Sequence, residues 1–311
     1  MATASIILMI RPAAFGFNQE TAANNYFQSH PTASKELIQQ QALREFDEMV
    51  QQLRHNKIDV LVIEDTAVPA KPDAIFPNNW LSTSPEGAVS IFPMYAPNRR
   101  IEKRDDIVQE LKEKFIISAL QDWSEYEAEG RFLEGTGSMI IDYDNKIIYA
   151  CASERTSLAV LEKFAATNGL QAIVFLATDK HGMPVYHTNV VMSLGDKFCV
   201  LCEEAIEEEW ELIAVRQLLE STAHAIIPIT REQMHCFAGN MLQVKNSEGE
   251  SLLVLSKTAY DSLRKEQIQM LEAYARLLIV PVPTIEEVEG GSVRCMMAEV
   301  FLSKRSNQLI N

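Results

Sequence analysis

One cysteine near the end of the sequence lies in a setting that could do chemistry. Cys295 follows the pair Gly290 and Gly291 in the stretch VEGGSVRCMMAEV, which runs from Val288 to Val300. The glycines indicate a tight backbone turn, and the apolar residues after the cysteine predict a buried strand. A cysteine presented by such a turn could be a nucleophile, a metal ligand or a core residue, and taken alone it favours the core.

Four further stretches place polar residues beside turn-forming glycine or proline at the mouth of a predicted strand. Taken one at a time, Glu134, Asn78 and Asn79 are explained as turn residues, and His187 as a structural histidine. Taken together with Cys295, a carboxylate and a histidine in such positions are the parts of a thiol hydrolase. The stretches are KPDAIFPNNW (71–80), RFLEGTGSMI (131–140), PVYHTNVVMSL (184–194) and FAGNML (237–242).

The elements that must position these residues follow one another in a repeated order. A strand, a turn, often a second strand, an amphipathic helix and a further strand recur about five times. This pattern predicts a closed or stacked α/β array whose strand mouths converge. A doubly wound parallel sheet competes, but the hairpins and the absence of a G-x-G-x-x-G loop weaken it. The predicted features include helices at 34–55, 104–115, 207–222 and 259–275, a helix capped by Ser153, and a hairpin turn at Asp144 and Asn145.

The composition is that of a folded chain with an acidic surface. The 311 residues are 47% hydrophobic and 23% charged, with a net charge of -15 and a pI near 4.9. Such a surface repels nucleic acid and anionic membranes, and no segment reaches the roughly 18 apolar residues of a membrane span. The N-terminal SIILMI is interpreted as a first strand, not as a signal peptide. We expect one domain over residues 1–311 with a small-molecule ligand, no nucleic-acid or membrane partner, and exposed helices that would allow a homodimer.

The cysteines do not form an evident framework. An odd, scattered set is untypical of disulfide scaffolds and favours the reducing cytoplasm. Cys199 and Cys202 form a C-x-x-C within KFCVLC, which is predicted to be a strand, where residues three apart face opposite sides. Two buried thiols are therefore favoured over zinc ligands, and no metal or cofactor is expected. The five cysteines are Cys151, Cys199, Cys202, Cys236 and Cys295.

At this point the chain resembles the guanidine-modifying superfamily, also called penteins, from MIRP at its start to RCMMAEVFL near its end. The resemblance implies a fivefold pseudosymmetric α/β propeller of ββαβ modules. Within the superfamily, the whole pattern of the chain is most similar to the bacterial citrulline-utilisation hydrolases. GGSVRCM resembles the nucleophile loop of arginine deiminases, and YHTN resembles the histidine motif. The other matching stretches are LEGTG, PDAIFPNNW, APNRRIEKR and ASERT, the last three similar to dimethylarginine hydrolases.

The resemblance also implies roles for individual residues. Cys295 would be the nucleophile and His187 the general acid and base, while Glu134 would orient His187 or hold a substrate nitrogen. Arg99 or Arg100, together with Arg155, would receive the α-carboxylate of the substrate. The remaining residues expected around the reacting group are Asp73, Asn78, Asn79 and Asn189.

Two departures from the family pattern bear on the substrate. The family usually has Glu-Asp or one Asp where this chain has Asn78 and Asn79, and deiminases have Asp where this chain has Asn189. Replacing a buried Asp by Asn removes charge that offsets the desolvation of a guanidinium cation. An amide offers both an acceptor and donors, which suits a neutral ureido group.

The sequence therefore predicts a cytoplasmic, cofactor-free cysteine hydrolase that converts citrulline to ornithine, ammonia and carbon dioxide through an S-carbamoyl intermediate. Arginine deiminase or dimethylarginine hydrolase activity on the same fold is the first alternative. A non-catalytic binding propeller is the second.

Overall fold

The computed structural model describes residues 3–22 and 24–305. The strands of this part of the chain form five three-stranded sheets. In each sheet the central strand pairs antiparallel with one neighbour and parallel with the other. The first sheet is β15 (Ala298–Val300), β1 (Ile6–Arg11) and β2 (Asp59–Glu64), and the second is β3 (Leu81–Thr83), β4 (Ala88–Ile91) and β5 (Ala119–Asp122). The others are β6 (Met139–Asp142), β7 (Ile147–Cys151) and β8 (Gln171–Phe175); β9 (Met192–Leu194), β10 (Phe198–Leu201) and β11 (Ala225–Pro228); and β12 (Leu242–Lys245), β13 (Ser251–Ser256) and β14 (Arg276–Val280).

A helical connection joins the central strand of each sheet to its parallel neighbour, as a parallel pair requires. The connecting helices are α1 (Lys35–His55), α2 (Asp105–Lys114), α4 (Leu158–Thr167), α6 (Glu209–Ser221), and the pair α8 (Lys257–Ser262) and α9 (Lys265–Glu272). Short helices occupy the turns: α3 (Gly135–Ser138), α5 (Thr188–Val191), α7 (Arg231–His235) and α10 (Pro283–Glu289). The 3-10 helices are Pro77–Asn79, Pro97–Glu102, Ser124–Glu129 and Glu203–Ala205. The modules are therefore ββαβ units.

The first strands of the modules lie around a common axis. β15 contacts β3, β6 contacts β9, and β9 contacts β12. The fifth and first modules meet where the N–H of Lys245 donates to the carbonyl of Ala4, and where Leu242 and Ile7 share one apolar cluster. The first module takes its strands from both ends of the described chain, because β15 pairs with β1 in the register Ile6–Val300. The predicted fivefold propeller is confirmed, and the doubly wound sheet is not what forms.

Several predicted elements have shifted bounds. Helix α1 begins after Ser34, whose Oγ accepts from the N–H of Leu37 as an N-cap. The Ser153 cap is wrong, because α4 begins after Ser157, and the Ser153 hydroxyl donates instead to the carbonyl of Tyr186. The helix predicted over 259–275 is two helices, and its break follows Ser262. None of the described helices is long and apolar enough to cross a membrane.

Candidate active site

The turns that lead into the first strands bring polar residues to one end of the axis. Each of the five modules supplies one such residue, two to five positions before its first strand. Since the first strands surround the axis, residues far apart in sequence converge there. They are Asn79 before β3, Glu134 before β6, His187 before β9, Asn240 before β12 and Cys295 before β15.

A small cavity lies at this end of the axis, and Asn79, His187 and Cys295 line it. Cys295 and His187 both line it, as the sequence predicted, although 108 positions separate them in the chain (295 − 187). Among the other predicted residues, Asp73, Asn79, Arg99 and Arg155 also line it. A sulfur and an imidazole thus share one cavity with carboxylate, amide and guanidinium groups.

The sulfur of Cys295 accepts hydrogen bonds from two amide groups. The Nδ2 of Asn240 lies 3.3 Å from Sγ, and the Nδ2 of Asn189 lies 3.6 Å from it. The Cys295 residue is 7% exposed, so little water competes for this sulfur. Two aligned N–H donors stabilise negative charge on sulfur, and the thiolate is the nucleophilic form of cysteine.

His187 and Glu134 form a buried pair. The Nε2 of His187 lies 2.8 Å from Oε2 of Glu134, whose other oxygen accepts from the N–H of Tyr95 at 3.0 Å. Burial raises the pKa of Glu134, but the opposite effect of Arg155, His187 and Arg99 is larger and lowers this pKa to about 2. Burial lowers the pKa of His187 to about 4, against the opposite effect of Glu134. An ionised acceptor places the imidazole proton on Nε2 and leaves Nδ1 as a base.

Arg99 orders the carboxylates and an amide in the wall of the cavity. Its guanidinium binds Glu102 through two nitrogens, at 2.9 and 3.0 Å, and donates from Nη1 to Oδ1 of Asn79 at 2.9 Å. It also lies 3.3 Å from Asp73. These contacts pair Arg99 with carboxylates of the protein, and Arg99 also lines the cavity.

Arg155 lies in the same wall with a different set of contacts. Its Nη2 donates to Oδ1 of Asn24 at 2.5 Å, and its guanidinium stacks over the ring of Tyr186, 4.7 Å from the centroid. Its Nη1 is 3.6 Å from Oε2 of Glu134. Arg155 therefore adds positive charge beside the His187–Glu134 pair, as well as lining the cavity.

Close packing at Gly137 sets the position of two site residues. A Cβ added at Gly137 would lie 2.5 Å from Nδ2 of Asn79 and 2.9 Å from the ring of His187. Side chains do not approach a Cβ so closely, so only glycine fits between them. The LEGTG stretch thus positions Asn79 and His187 in addition to supplying Glu134.

Three of the predicted substrate residues are not in the cavity wall: Asn78, Arg100 and Asn189, the last of which contacts the sulfur of Cys295. Arg100 is half-buried and donates to the carbonyls of Met94 and Tyr95. It is therefore placed apart from the cavity, and of the two adjacent arginines only Arg99 reaches it. The amide of Asn78 turns toward the Oγ1 of Thr136, at 3.3 Å.

Other cavity residues were not identified from the sequence. Glu289, Tyr186 and Asn25 line the cavity, and the side chain of Asn240, from the FAGNML stretch, contacts the sulfur. Tyr186 precedes His187 directly, and Glu289 directly precedes the glycine pair, so proximity to the motifs was the available signal. Asn25 lies in the segment between β1 and α1, which carries no motif.

The C-x-x-C cysteines are core residues in the described structure. Cys199 and Cys202 are both fully buried, and burial raises the pKa of the Cys202 thiol to about 12. Among residues 3–22 and 24–305, no group of three histidine, cysteine or acidic side chains is arranged to hold a metal ion.

A match to a protein-family model identifies the family of this chain. The model described as "N,N dimethylarginine dimethylhydrolase, eukaryotic" matches residues 11–302. The chain belongs to this family. It is thus a member of the pentein superfamily and a hydrolase acting on guanidino-type C–N bonds. A comparison with curated proteins finds no match.

Solved structures share the fold of this dimethylarginine dimethylhydrolase family member. The N-terminal domain of ArgZ, with a reaction intermediate covalently bound, has a TM-score of 0.72 at 16% identity, over 95% of this chain and 97% of that one. The apo structure of ArgZ, an arginine dihydrolase from Cyanobacteria, matches at 15% identity with a TM-score of 0.72, over 95% of this chain and 40% of that chain. A dimethylarginine dimethylaminohydrolase adduct with S-methyl-L-thiocitrulline has a TM-score of 0.65 at 15% identity, over 96% and 100% of the chains.

Proposed function

We propose that this hydrolase acts on citrulline and releases ornithine, ammonia and carbon dioxide. The family assignment gives the reaction class, a C–N hydrolase of guanidino-type compounds. The choice of a ureido substrate rests on the amide at position 79, where the cavity wall presents a donor.

The orientation of the Asn79 amide is the observation that carries the proposal. Arg99 can only donate hydrogen bonds, so its contact at 2.9 Å fixes Oδ1 of Asn79 on the Arg99 side. The Nδ2 group is then left buried without a partner in the protein, beside the ring of His187. A ureido carbonyl would accept from this N–H, whereas a guanidinium has only N–H groups to offer against it.

The reaction follows from these positions. Neutral His187 takes the thiol proton of Cys295, and the thiolate formed attacks the ureido carbon. The carbonyl oxygen gains charge that the Asn79 amide stabilises. The C–N bond to the ornithine side breaks, and a proton from the protonated His187 goes to the leaving nitrogen. An S-carbamoyl group remains on the sulfur.

Hydrolysis of this intermediate restores the enzyme. His187, now neutral, takes a proton from water, and the hydroxide attacks the S-carbamoyl carbon. The C–S bond breaks, the thiolate returns, and the released carbamate decomposes to ammonia and carbon dioxide. Glu134 stabilises the imidazolium formed at each proton transfer, in the manner of an acidic triad member.

Guanidino substrates are the second candidate. The names of the family and of the similar structures refer to dimethylarginine and arginine, and Asp73 leaves one carboxylate in the cavity wall. An enzyme of this class would release citrulline from arginine or from dimethylarginine. The family assignment gives no support to a non-catalytic binding propeller.

A substrate panel tests the proposal. Citrulline, arginine, dimethylarginine, agmatine and carbamoyl amino acids are each incubated with the enzyme, and ornithine, citrulline and ammonia are quantified. We expect ornithine and ammonia from citrulline and little turnover of arginine. Citrulline formed from arginine or dimethylarginine, with citrulline itself stable, would replace the proposal by the second candidate. The Cys295→Ala variant is the control for contaminating activity.

A further inference from the structure

A buried carboxyl group on helix α10 has no use in the reaction as described. Glu286 is 4% exposed and lies near the middle of α10, the helix directly before the turn that carries Cys295. Each of its two oxygens accepts a hydrogen bond from a hydroxyl group, Oε1 from Ser292 at 2.6 Å and Oε2 from Thr258 at 2.5 Å. The carboxyl group therefore contacts both the turn and a second helix, α8.

Ser292 lies inside the turn that carries the sulfur. Its side chain is fully buried, and its carbonyl accepts from the N–H of Cys295 at 3.0 Å. The turn begins at Gly290, whose left-handed φ of 64° ends α10 and whose N–H donates to the carbonyl of Glu286 at 3.0 Å. Glu286 thus holds the turn at two points, through its backbone at Gly290 and through its side chain at Ser292.

The hydroxyl groups of Ser292 and Thr258 are what stabilise the charged form of this carboxyl group. Burial raises the pKa of Glu286, and the hydrogen bonds from these hydroxyls act against that effect. A buried carboxylate oxygen left without a partner is costly, and hydrogen bonds to an ionised acceptor are shorter and stronger than neutral ones. The Ser292 hydroxyl is therefore held firmly against a group that α8 and α10 fix in place.

The contacts of the sulfur depend on the position of this turn. Nδ2 of Asn240 lies 3.3 Å from Sγ of Cys295, and Nδ2 of Asn189 lies 3.6 Å from it. The N–H of Arg294, in the same turn, donates to Oδ1 of Asn240 at 3.1 Å. The turn thus positions both the sulfur and one of the amides that donate to it, and catalysis is sensitive to displacements of about 1 Å.

We propose that Glu286 is a positioning residue, which through Ser292 holds Cys295 where Asn240 and Asn189 donate to its sulfur. This inference rests on the proposed function for the role of Cys295 as the nucleophile, but it does not depend on which substrate is cleaved. Glu286 does not line the cavity at the sulfur, so its effect on catalysis passes through the turn.

Two variants that each remove one hydroxyl from the same carboxyl group test this role. Ser292→Ala removes the contact to the turn and Thr258→Val the contact to α8, so each leaves one oxygen of Glu286 unpaired and should lower Tm to a similar extent. We expect Ser292→Ala to lower kcat by at least about tenfold and to change KM by less than about threefold, since the loss affects the sulfur and not substrate binding. Thr258→Val should change kcat by less than about threefold. Equal losses of kcat in the two variants would overturn the inference.

The reactivity of Cys295 is a second readout, and it is measured without substrate. Iodoacetamide reacts with the thiolate, so the ratio of the alkylation rates at about pH 6 and about pH 9 reports the thiolate fraction independently of access to the sulfur. Modification is followed by mass spectrometry of the Cys295 peptide, because the half-buried Cys236 also reacts. We expect Ser292→Ala to lower this ratio by about two- to fivefold relative to Thr258→Val. Equal ratios in the two variants count against the inference, because Ser292 would then have no effect on the donors at the sulfur.

A double-mutant cycle links the effect of Ser292 to Glu286. In the Glu286→Gln protein the charged acceptor is already lost, so adding Ser292→Ala should lower kcat by less than about threefold further. Fully additive losses would mean that Ser292 acts independently of Glu286, and the assigned role would be wrong. If the double variant does not fold, the comparison of Ser292→Ala with Thr258→Val decides. Full turnover by Cys295→Ala would end the proposed function, whereas the alkylation ratios would still decide whether Glu286 positions the sulfur.

Discussion

In the proposed function, substrate choice depends on which atom of the Asn79 side chain faces the cavity. Asn79→Asp keeps the oxygen that Arg99 binds and turns the unpartnered donor into a second acceptor with negative charge. A carboxylate there repels a ureido oxygen and pairs with a guanidinium. We expect the ratio of kcat/KM for citrulline over arginine to fall by at least about 100-fold, measured with both substrates under identical conditions.

Asn78→Asp is the matched control for this change. It adds the same charge one residue away, but the Asn78 amide contacts Thr136 outside the cavity wall. Its selectivity ratio should change by less than about threefold, because the added charge has no direct contact with the substrate. Equal shifts in the two variants would mean that overall charge, and not the aligned amide, decides the substrate.

The buried pair of His187 and Glu134 should determine the acid limb of the pH–rate profile. His187 is neutral above its pKa of about 4, so kcat/KM should fall as the pH drops through that value and Nδ1 becomes protonated. Glu134→Gln removes an interaction that raises the pKa of His187, so the acid limb should move to lower pH. The plateau should also fall by roughly 10²- to 10⁴-fold, because the imidazolium loses its counter-charge.

Exposed Glu129 provides the control for the loss of a carboxylate. Glu129→Gln should leave both the plateau and the acid limb as they are, since this side chain is exposed and pairs with exposed Arg131. Circular dichroism at each pH separates loss of activity from acid unfolding. An unchanged plateau in Glu134→Gln, or an acid limb moved to higher pH, would contradict the assigned role.

Single residues were predictable from the sequence where a motif surrounds them. Cys295, His187 and Glu134 each lie beside turn-forming glycine or in a recognisable polar stretch, and the structure brings them to one place. Glu289 was missed because the glycine that follows it is also the residue expected just past a helix end, and Glu289 is the last residue of α10. Arg99 and Arg100 are adjacent and chemically identical, so only the direction of the chain at Pro97–Glu102 separates them.

At the scale of elements, the short turn before β6 acts as a spacer between two site residues. Gly137→Ala would place a methyl group 2.5 Å from Nδ2 of Asn79 and 2.9 Å from the ring of His187. Both groups would have to move, and catalysis is sensitive to displacements of about 1 Å. We expect kcat to fall at least about tenfold. Gly16→Ala, where an added Cβ meets nothing within 4 Å, should leave kcat unchanged; a Gly137→Ala enzyme as active as this control would show that the close contact is dispensable.

The periodicity of the sequence identified elements that bury one face and missed those that do not. Helix α1 buries Ile38, Ala42 and Phe46 on one stripe, which is the spacing a helix prediction uses. Strand β5 was not predicted, because three of its four residues are exposed and no apolar alternation remains. The break between α8 and α9 follows Ser262 and leaves the apolar spacing on both sides intact, so the pattern appeared continuous.

At the scale of the whole molecule, the ring places one residue from each module at a common point. No pair of neighbouring elements could bring Asn79, Glu134, His187, Asn240 and Cys295 together, since each precedes a first strand in a different module. The sequence could predict this convergence only through the repeat count and the resemblance to a family. The distances within the site depend on closure of the ring, which a linear pattern does not contain.

Closure of the ring depends on β15, and this gives a prediction for the molecule as a whole. β15 pairs with β1, and the carbonyl of Glu299 accepts from Thr83 in the second module. A chain ending at Met297 lacks these bonds and the buried side chains of Ala298, Val300 and Leu302. We expect it to lose cooperative thermal unfolding or to be insoluble, because β1 and β3 lose their shared neighbour and the Cys295 turn is no longer anchored. A chain ending at Arg305 keeps every described contact and should match the full chain in Tm and in kcat. A Met297-terminated protein that unfolds cooperatively and retains activity would show that Cys295 is positioned without closure of the ring.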